Sequence, residues 1–167
     1  IPLFYGQNVT YQSNILSFYS YIIDSPLMQA LAEYSTSDYQ IGNGTLFAPY
    51  IETNPNLTPS YENDIYLYLS ILPDLSGACS NVCGYSPVAL HNLEALASVQ
   101  MVKAITNGAG GYIGYSGWAS NSSKGNAGGG ITDGVCAWTQ YPLYDVNMNL
   151  FVVGKIWSNS RQKIQSL

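Results

Sequence analysis

The architecture of this chain is set by residues 86–106, which read SPVALHNLEALASVQMVKAIT. Ser86-Pro87 is a helix-start signal, because a serine side chain caps the first backbone amides and proline fits the first helical position. The residues that follow are apolar on most sides, which is typical of a helix enclosed by other elements. The segment therefore predicts a central helix over roughly residues 87–106 that ends at Asn107-Gly108.

Two shorter helices are predicted before the central one. Ser13 is placed to cap the first, and Ser25-Pro26 repeats the serine–proline start for the second. In both segments apolar residues follow the 3.6-residue period of a helix. They are Ile15, Leu16, Tyr19, Ile22 and Ile23 in the first, and Leu27, Met28, Leu31 and Tyr34 in the second. Each helix should bury one face against a sheet.

Strands are predicted on both sides of the central helix. Residues 65–72 are β-branched and aromatic and are followed by Pro73-Asp74, which is the pattern of a buried strand. Residues 150–157 also have strand character, and residues 1–6 read as the end of another strand. Residues 37–60 contain several prolines and glycines, so they predict a loop with one edge strand.

These elements predict one domain over residues 1–167, of the α+β or α/β class. A mixed β-sheet should pack against the two N-terminal helices and the central helix. Residues 107–134 are rich in Gly, Ser and Asn, and loops of this length are often functional.

Charged residues are scarce in this chain. They make up 9% of it, against about 25% in an average protein, whereas it contains 15 tyrosines and 16 glycines. The net charge of −5 provides no basic surface for a run of phosphates, so nucleic acid is excluded as a partner. No apolar run approaches the roughly 20 residues of a membrane-spanning helix, so a membrane span is excluded as well. A neutral, tyrosine-rich surface suits a protein covered by sugars or by neighbouring subunits.

Four Asn-x-Ser/Thr motifs predict N-glycosylation, and with it secretion to the extracellular space or the cell surface. The four acceptor asparagines are Asn8, Asn43, Asn56 and Asn121. Pro59 follows the third motif and weakens it as an acceptor.

The chain has three cysteines. Cys79 and Cys83 are close enough in sequence to form a small disulfide loop, which is the favoured interpretation because a zinc site would need two more thiolates or imidazoles. Cys136 is then unpaired, as a free thiol, an intermolecular bridge or a residue whose partner lies outside this sequence.

Short motifs along most of the chain resemble a known family. They are Phe4-Tyr5-Gly6, Tyr11-Gln12-Ser13, Ser17-Phe18-Tyr19-Ser20, Ser25-Pro26, Glu33-Tyr34, Ile41-Gly42, Ala104-Ile105-Thr106-Asn107 and Trp157-Ser158-Asn159-Ser160. Together they are similar to secreted microbial zincin-like proteins whose central helix reads His-Glu-x-x-Glu-Ala-Ile-Thr-Asp-Pro, and more distantly to the exordium-type phosphate-induced proteins of plant cell walls. The resemblance implies a peptidase-like fold. In members with the full motif it implies a zinc ion held by the His and the second Glu, with the adjacent Glu polarising a bound water.

The resemblance also implies that this chain lacks the metal ligands. The matching positions carry Val99, Gln100 and Lys103. Valine cannot bind a metal, glutamine cannot take up a proton, and lysine adds a positive charge to a cation site. Asp133 is the one candidate ligand in the downstream segment, and Ile164 stands where the family has its last cysteine, the usual partner of Cys136. No catalytic residue and no metal are predicted, and zinc is expected only if Val99, Gln100 and Lys103 are misreadings.

Two further candidate sites have simpler explanations. His91 and Glu94 could hold a metal at their i, i+3 spacing, but a histidine bonded to a nearby acid at a helix start is commoner. Five aromatic residues could form a platform on which sugars stack, but aromatics at strand spacing more often pack in a core. They are Tyr66, Tyr68, Tyr112, Tyr115 and Trp118.

The sequence favours a non-catalytic secreted N-glycosylated protein with a structural or surface-assembly role in a cell wall, matrix or extracellular filament. Its expected partners are further copies of itself or an extracellular glycan or protein matrix, and N-linked glycans are its only expected bound groups. Two alternatives stay open: a secreted zinc-dependent peptidase-like hydrolase and a carbohydrate-binding module. Bound zinc with chelator-sensitive peptide cleavage would indicate the first, and glycan binding would indicate the second.

Overall fold

The computed structural model describes residues 1–53, 72, 86–107, 139–158, 160 and 163–165. Its helices are α1 (Gln12–Ile22), α2 (Pro26–Leu31) and α3 (Ala89–Asn107), and a 3₁₀ turn over Ala32–Tyr34 follows α2 directly. Its strands are β1 (Leu3–Tyr5), β2 (Tyr50–Glu52), β3 (Gln140–Tyr144), β4 (Leu150–Gly154), β5 (Ile156–Ser158) and β6 (Lys163–Gln165). None of the described helices is long and apolar enough to cross a membrane.

The strands pair two by two. β1 and β2 are parallel, whereas β3 pairs with β4 and β5 with β6 in antiparallel fashion. Helices and mixed strand pairing together give an α+β fold, which confirms the predicted class. Within the described residues the strands form three separate two-stranded sheets, one parallel and two antiparallel. The sequence predicts a single mixed sheet instead.

The main hydrophobic core lies where the three helices meet the β3–β4 hairpin. Its fully buried side chains come from all three helices and from β4 and β5, and they include Phe18, Ile22, Leu27, Leu31, Val102, Val153 and Ile156. Burying a side chain of this size contributes roughly 1.5–3 kcal/mol. A smaller cluster joins β1, α1 and α3 through Phe4, Ile15 and Leu93. The packing therefore fixes α3 between the N-terminal helices and the hairpin.

The start of α2 is confirmed, but the start of α1 differs from the prediction. The Ser25 hydroxyl accepts a hydrogen bond from the Leu27 N–H at 3.2 Å, and Pro26 is the first helical residue. α1 begins at Gln12 after Tyr11, whose φ of 63° is left-handed, and no side chain caps this end. Ser13 as the N-cap is therefore wrong, because the chain enters the helix through the left-handed residue and Ser13 already lies within its first turn.

The central helix is confirmed within a residue or two of its predicted bounds. The Ser86 hydroxyl accepts a hydrogen bond from the Val88 N–H at 3.1 Å, so Ser86 does satisfy an amide ahead of α3. Buried residues lie on several sides of the helix, as its composition predicts; they include Leu93, Ala95, Ala97 and Val102.

The remaining strand predictions are partly confirmed. β1 lies within residues 1–6 and β2 within residues 37–60, as predicted. The strand character of residues 150–157 is divided between β4 and β5, which Lys155 separates. β3 has no counterpart among the predicted strands. The predicted strand at residues 65–72 lies outside the described residues except for Leu72, which packs against both hydrophobic clusters. The predicted glycine-rich loop over residues 107–134 also lies outside the described residues, apart from Asn107.

Candidate functional site

The face of α3 that contacts β4 carries two buried polar side chains one helical turn apart. Oε2 of Glu94 accepts a hydrogen bond from the backbone N–H of Val152 at 3.0 Å. Oγ of Ser98 accepts one from the backbone N–H of Gly154 at 2.8 Å. Four helical residues rise about 6 Å and two strand residues about 6.6 Å, so the spacing of the acceptors matches that of the amides. α3 therefore runs alongside β4 and bonds to its backbone through side chains.

The register of the hairpin directs these two amides toward α3. The Lys155 N–H bonds to the Thr139 carbonyl at 2.8 Å, so these two residues form a hydrogen-bonded pair. Such pairs alternate along an antiparallel ladder, so Gly154 and Val152 direct their backbone groups away from β3. Pro142 lies opposite Val152. Since its nitrogen also points out of the hairpin, the missing N–H costs no hydrogen bond within the ladder, and this explains how β3 accommodates a proline.

Glu94 is the only buried carboxyl group among the described residues. Its burial raises its pKa to about 7, and the hydrogen bond from the Val152 N–H opposes that rise in part. A carboxyl group without water around it favours its neutral form, because the charge is poorly solvated there. Glu94 therefore holds its proton more tightly than an ordinary glutamate does.

Val99 on α3 lies against Gly154 of β4. A methyl group added at Gly154 would overlap Cγ2 of Val99 and would reach 3.7 Å from both the Ala95 carbonyl oxygen and the Ser98 hydroxyl. Position 154 therefore requires glycine because a larger side chain would not fit. Backbone conformation is not the reason, since the φ of Gly154 is not in the left-handed region. Val99, which the predicted resemblance would align with a histidine, packs against the strand backbone.

We expect Gly154→Ala to destabilise the fold by about 1 to 3 kcal/mol, because the added methyl group forces α3 and β4 apart. Urea unfolding measures this loss. Gly42→Ala is the matched control, because a methyl group there meets no atom within 4 Å and should change the stability little. Equal effects of the two substitutions would show that α3 does not approach β4 at Gly154.

The other two positions that the predicted resemblance would assign to a zinc site do not fit one either. Gln100 and Lys103 are half-buried on α3, and neither an amide nor an ammonium group is a ligand that zinc favours. Asp133 lies outside the described residues. Among the residues that the structure describes, no three His, Cys, Asp or Glu side chains are grouped to hold a metal ion.

His91 and Glu94 have different partners in the structure. Nδ1 of His91 lies 3.2 Å from the Ser86 hydroxyl, at the start of α3. The Glu94 carboxyl is directed to Val152 instead. The two side chains are therefore not directed toward one another, and the contact described for His91 is a serine hydroxyl instead of the predicted acid.

Asn92 joins the segment before α3 to the hairpin. Its Oδ1 accepts hydrogen bonds at 3.0 Å from the Ser86 N–H and from Nε2 of Gln140. Its Nδ2 donates to the Ser86 carbonyl at 2.8 Å. The Asn92 side chain has no exposed surface. Its amide group therefore provides the hydrogen bonds that these polar groups would otherwise lose when folding removes them from water.

Two of the four predicted glycosylation sites are described, and both are exposed. Asn8 lies in the turn between β1 and α1, and Asn43 in the loop before β2. Nδ2 of Asn43 donates to Oδ1 of Asp24. The other predicted site residues lie outside the described residues: Asn56, Asn121, Cys79, Cys83, Cys136 and the five aromatic residues of the sugar platform.

Comparison with protein-family models, with curated proteins and with solved structures gives no match for this chain. The resemblance to zincin-like and exordium-type proteins therefore stays a prediction.

The sequence does not predict the structural roles of Glu94, Ser98 and Asn92. The signal it contains is a pair of polar residues four apart, Glu94 and Ser98, in a helix that is otherwise apolar on most sides. Polar side chains in such positions must find partners on folding. The sequence does not show that the partners are backbone amides of a strand more than 50 residues away.

Proposed function

We propose that this chain is a non-catalytic secreted N-glycosylated protein with a structural or surface-assembly role in a cell wall, matrix or extracellular filament. The observation that carries the proposal is that α3 packs against β4 and forms hydrogen bonds to its backbone. Val99 packs against Gly154, and Glu94 and Ser98 accept hydrogen bonds from β4. The face on which the resemblance would place a metal site thus serves the packing of the fold.

The surface of the described residues supports self-association. Several of the exposed apolar side chains of the described residues lie in two regions, the parallel β1–β2 pair and the tip of the β3–β4 hairpin. The first includes Leu3, Tyr5, Tyr50 and Ile51, and the second Tyr144, Val146, Met148 and Leu150. Exposed apolar patches are typical of surfaces that bind other proteins. With only 9% charged residues, the chain has little electrostatic repulsion to oppose contact between copies.

The assembly prediction is tested by the size of the purified glycoprotein in solution, measured by analytical ultracentrifugation over a range of concentrations. We expect oligomers that grow with concentration. A strictly monomeric protein would argue against an assembly role. One tightly bound zinc ion per chain, together with peptide cleavage that a chelator inhibits, would contradict the proposal and indicate a secreted zinc-dependent peptidase-like hydrolase instead.

The exposed sequons predict that Asn8→Gln and Asn43→Gln each remove one N-linked glycan from the protein secreted by a glycosylating host. Intact mass before and after treatment with a peptide N-glycosidase measures the glycans directly. Asn14→Gln is the matched control, because Asn14 is exposed but Asn14-Ile15-Leu16 is no acceptor motif. Unchanged masses in both sequon variants would remove these two sites from the proposal.

A further inference from the structure

The contact between α3 and β4 depends in part on one ionisable group. Glu94 is 2% exposed, and its carboxyl oxygen is bonded to the amide of Val152. A protonated carboxyl group can keep this bond through its carbonyl oxygen, and it avoids the cost of a buried charge. An ionised carboxylate in the same place carries a charge that few neighbours can stabilise.

The elements around Glu94 provide no opposite charge within the described residues. β4 has no ionisable side chain, and those of α1 and β3 are tyrosines only; they are Tyr19, Tyr21, Tyr141 and Tyr144. Lys155 follows β4 beyond Gly154. On α3 itself Lys103 is nine residues away, about 13 Å along the axis, and the His91 ring is directed to Ser86. Within the described part of the chain, ionisation of Glu94 is therefore compensated only by backbone dipoles or by movement.

We propose that Glu94 makes the α3–β4 contact a pH-sensitive latch, which holds the outer edge of β4 while the carboxyl group is protonated and weakens when it ionises. The amides of Val152 and Gly154 lie at this edge, and Ser98 holds the second of them in either state. Weakening the latch exposes a strand edge that α3 otherwise covers. Protonation of Glu94 thereby makes the folded state more stable in mildly acidic than in mildly alkaline surroundings.

The direction of the effect follows from the pKa of Glu94, which is about 7 in the folded chain against an ordinary value of 4.5. The folded state therefore binds the proton more tightly than the unfolded state. Stability from this group is fully present below the ordinary value and is lost as the pH rises through the folded value. We expect the folding equilibrium constant to fall by about 10- to 100-fold between about pH 5 and about pH 8.

Urea unfolding of the full chain at the two pH values tests the proposal with two variants. Glu94→Gln can still accept the bond from Val152 but cannot ionise, so its folding equilibrium should lose most of the pH dependence of the wild type. His91→Gln removes the neighbouring titratable group and should keep that dependence. A wild type with no loss of stability over this range, or a Glu94→Gln variant with the same loss, would overturn the proposal.

Hydrogen exchange locates the effect. We compare the protection of the Val152 amide from exchange in the wild type with its protection in Glu94→Gln at the same pH. The protection in the wild type, relative to that in the variant, should fall as the pH rises. The Val153 amide is the internal control, because Val153 pairs with Tyr141 inside the hairpin and faces away from Glu94. Equal loss of protection at both amides would show general unfolding and contradict a local latch. None of these results depends on whether the chain is glycosylated or assembles.

Discussion

Replacing Phe18 by alanine should reduce the free energy of unfolding by about 3 to 5 kcal/mol, which is a large share of the stability of a domain of this size. The Phe18 ring has no exposed surface and lies at the centre of the main core. Its centroid is 5.6 Å from that of Tyr19 and 6.2 Å from that of Phe151. The ring therefore joins α1 to β4, and its removal leaves a cavity that two rigid elements cannot close.

Phe47→Ala is the matched control for this substitution. The Phe47 ring is 60% exposed, so its removal should change the stability by no more than about 0.5 kcal/mol. Urea unfolding of both variants gives the comparison, and Phe18→Leu should fall between them. If Phe18→Ala costs no more than Phe47→Ala, α1 does not pack into the core as the structure shows.

Local signals in the sequence predict the helices well because these depend on neighbouring residues. Ser25 and Pro26 specify the start of α2 within four residues of chain, and the structure places them as predicted. The bounds of α3 follow in the same way from Ser86-Pro87 and Asn107-Gly108. The start of α1 is the exception, because its cap is the left-handed conformation of Tyr11 and no side chain provides a signal for it.

The contacts of α3 could not be predicted from its own residues. β3 contains Pro142, which argues against a strand in any local pattern, and only its register with β4 makes the proline acceptable. Similarly, Val99 reads as a lost ligand in the sequence, whereas the structure shows it packed against Gly154. Whether a helix position serves packing or chemistry depends on what the distant part of the chain places against it.

Asn92→Ala should be nearly as damaging as the loss of Phe18, at about 2 to 4 kcal/mol, for a polar reason. The substitution removes the acceptor for the Ser86 N–H and for Nε2 of Gln140, and the donor for the Ser86 carbonyl. Each buried polar group left without a partner costs about 1 to 3 kcal/mol, and the half-buried position of Ser86 keeps the total below the full sum. Urea unfolding measures the loss.

Asn92→Asp separates hydrogen bonding from packing, because the two side chains have nearly the same volume. Aspartate cannot donate to the Ser86 carbonyl and places a carboxylate against its oxygen, so at neutral pH it should destabilise about as much as alanine does. Asn14→Ala, on the exposed side of α1, controls for loss of an asparagine and should change the stability by about 0.5 kcal/mol at most. If Asn92→Asp is as stable as the wild type, the Asn92 amide does not hold the Ser86 segment. Among the contacts of the described residues, the attachment of α3 to the hairpin then depends on Glu94, Ser98 and the apolar core.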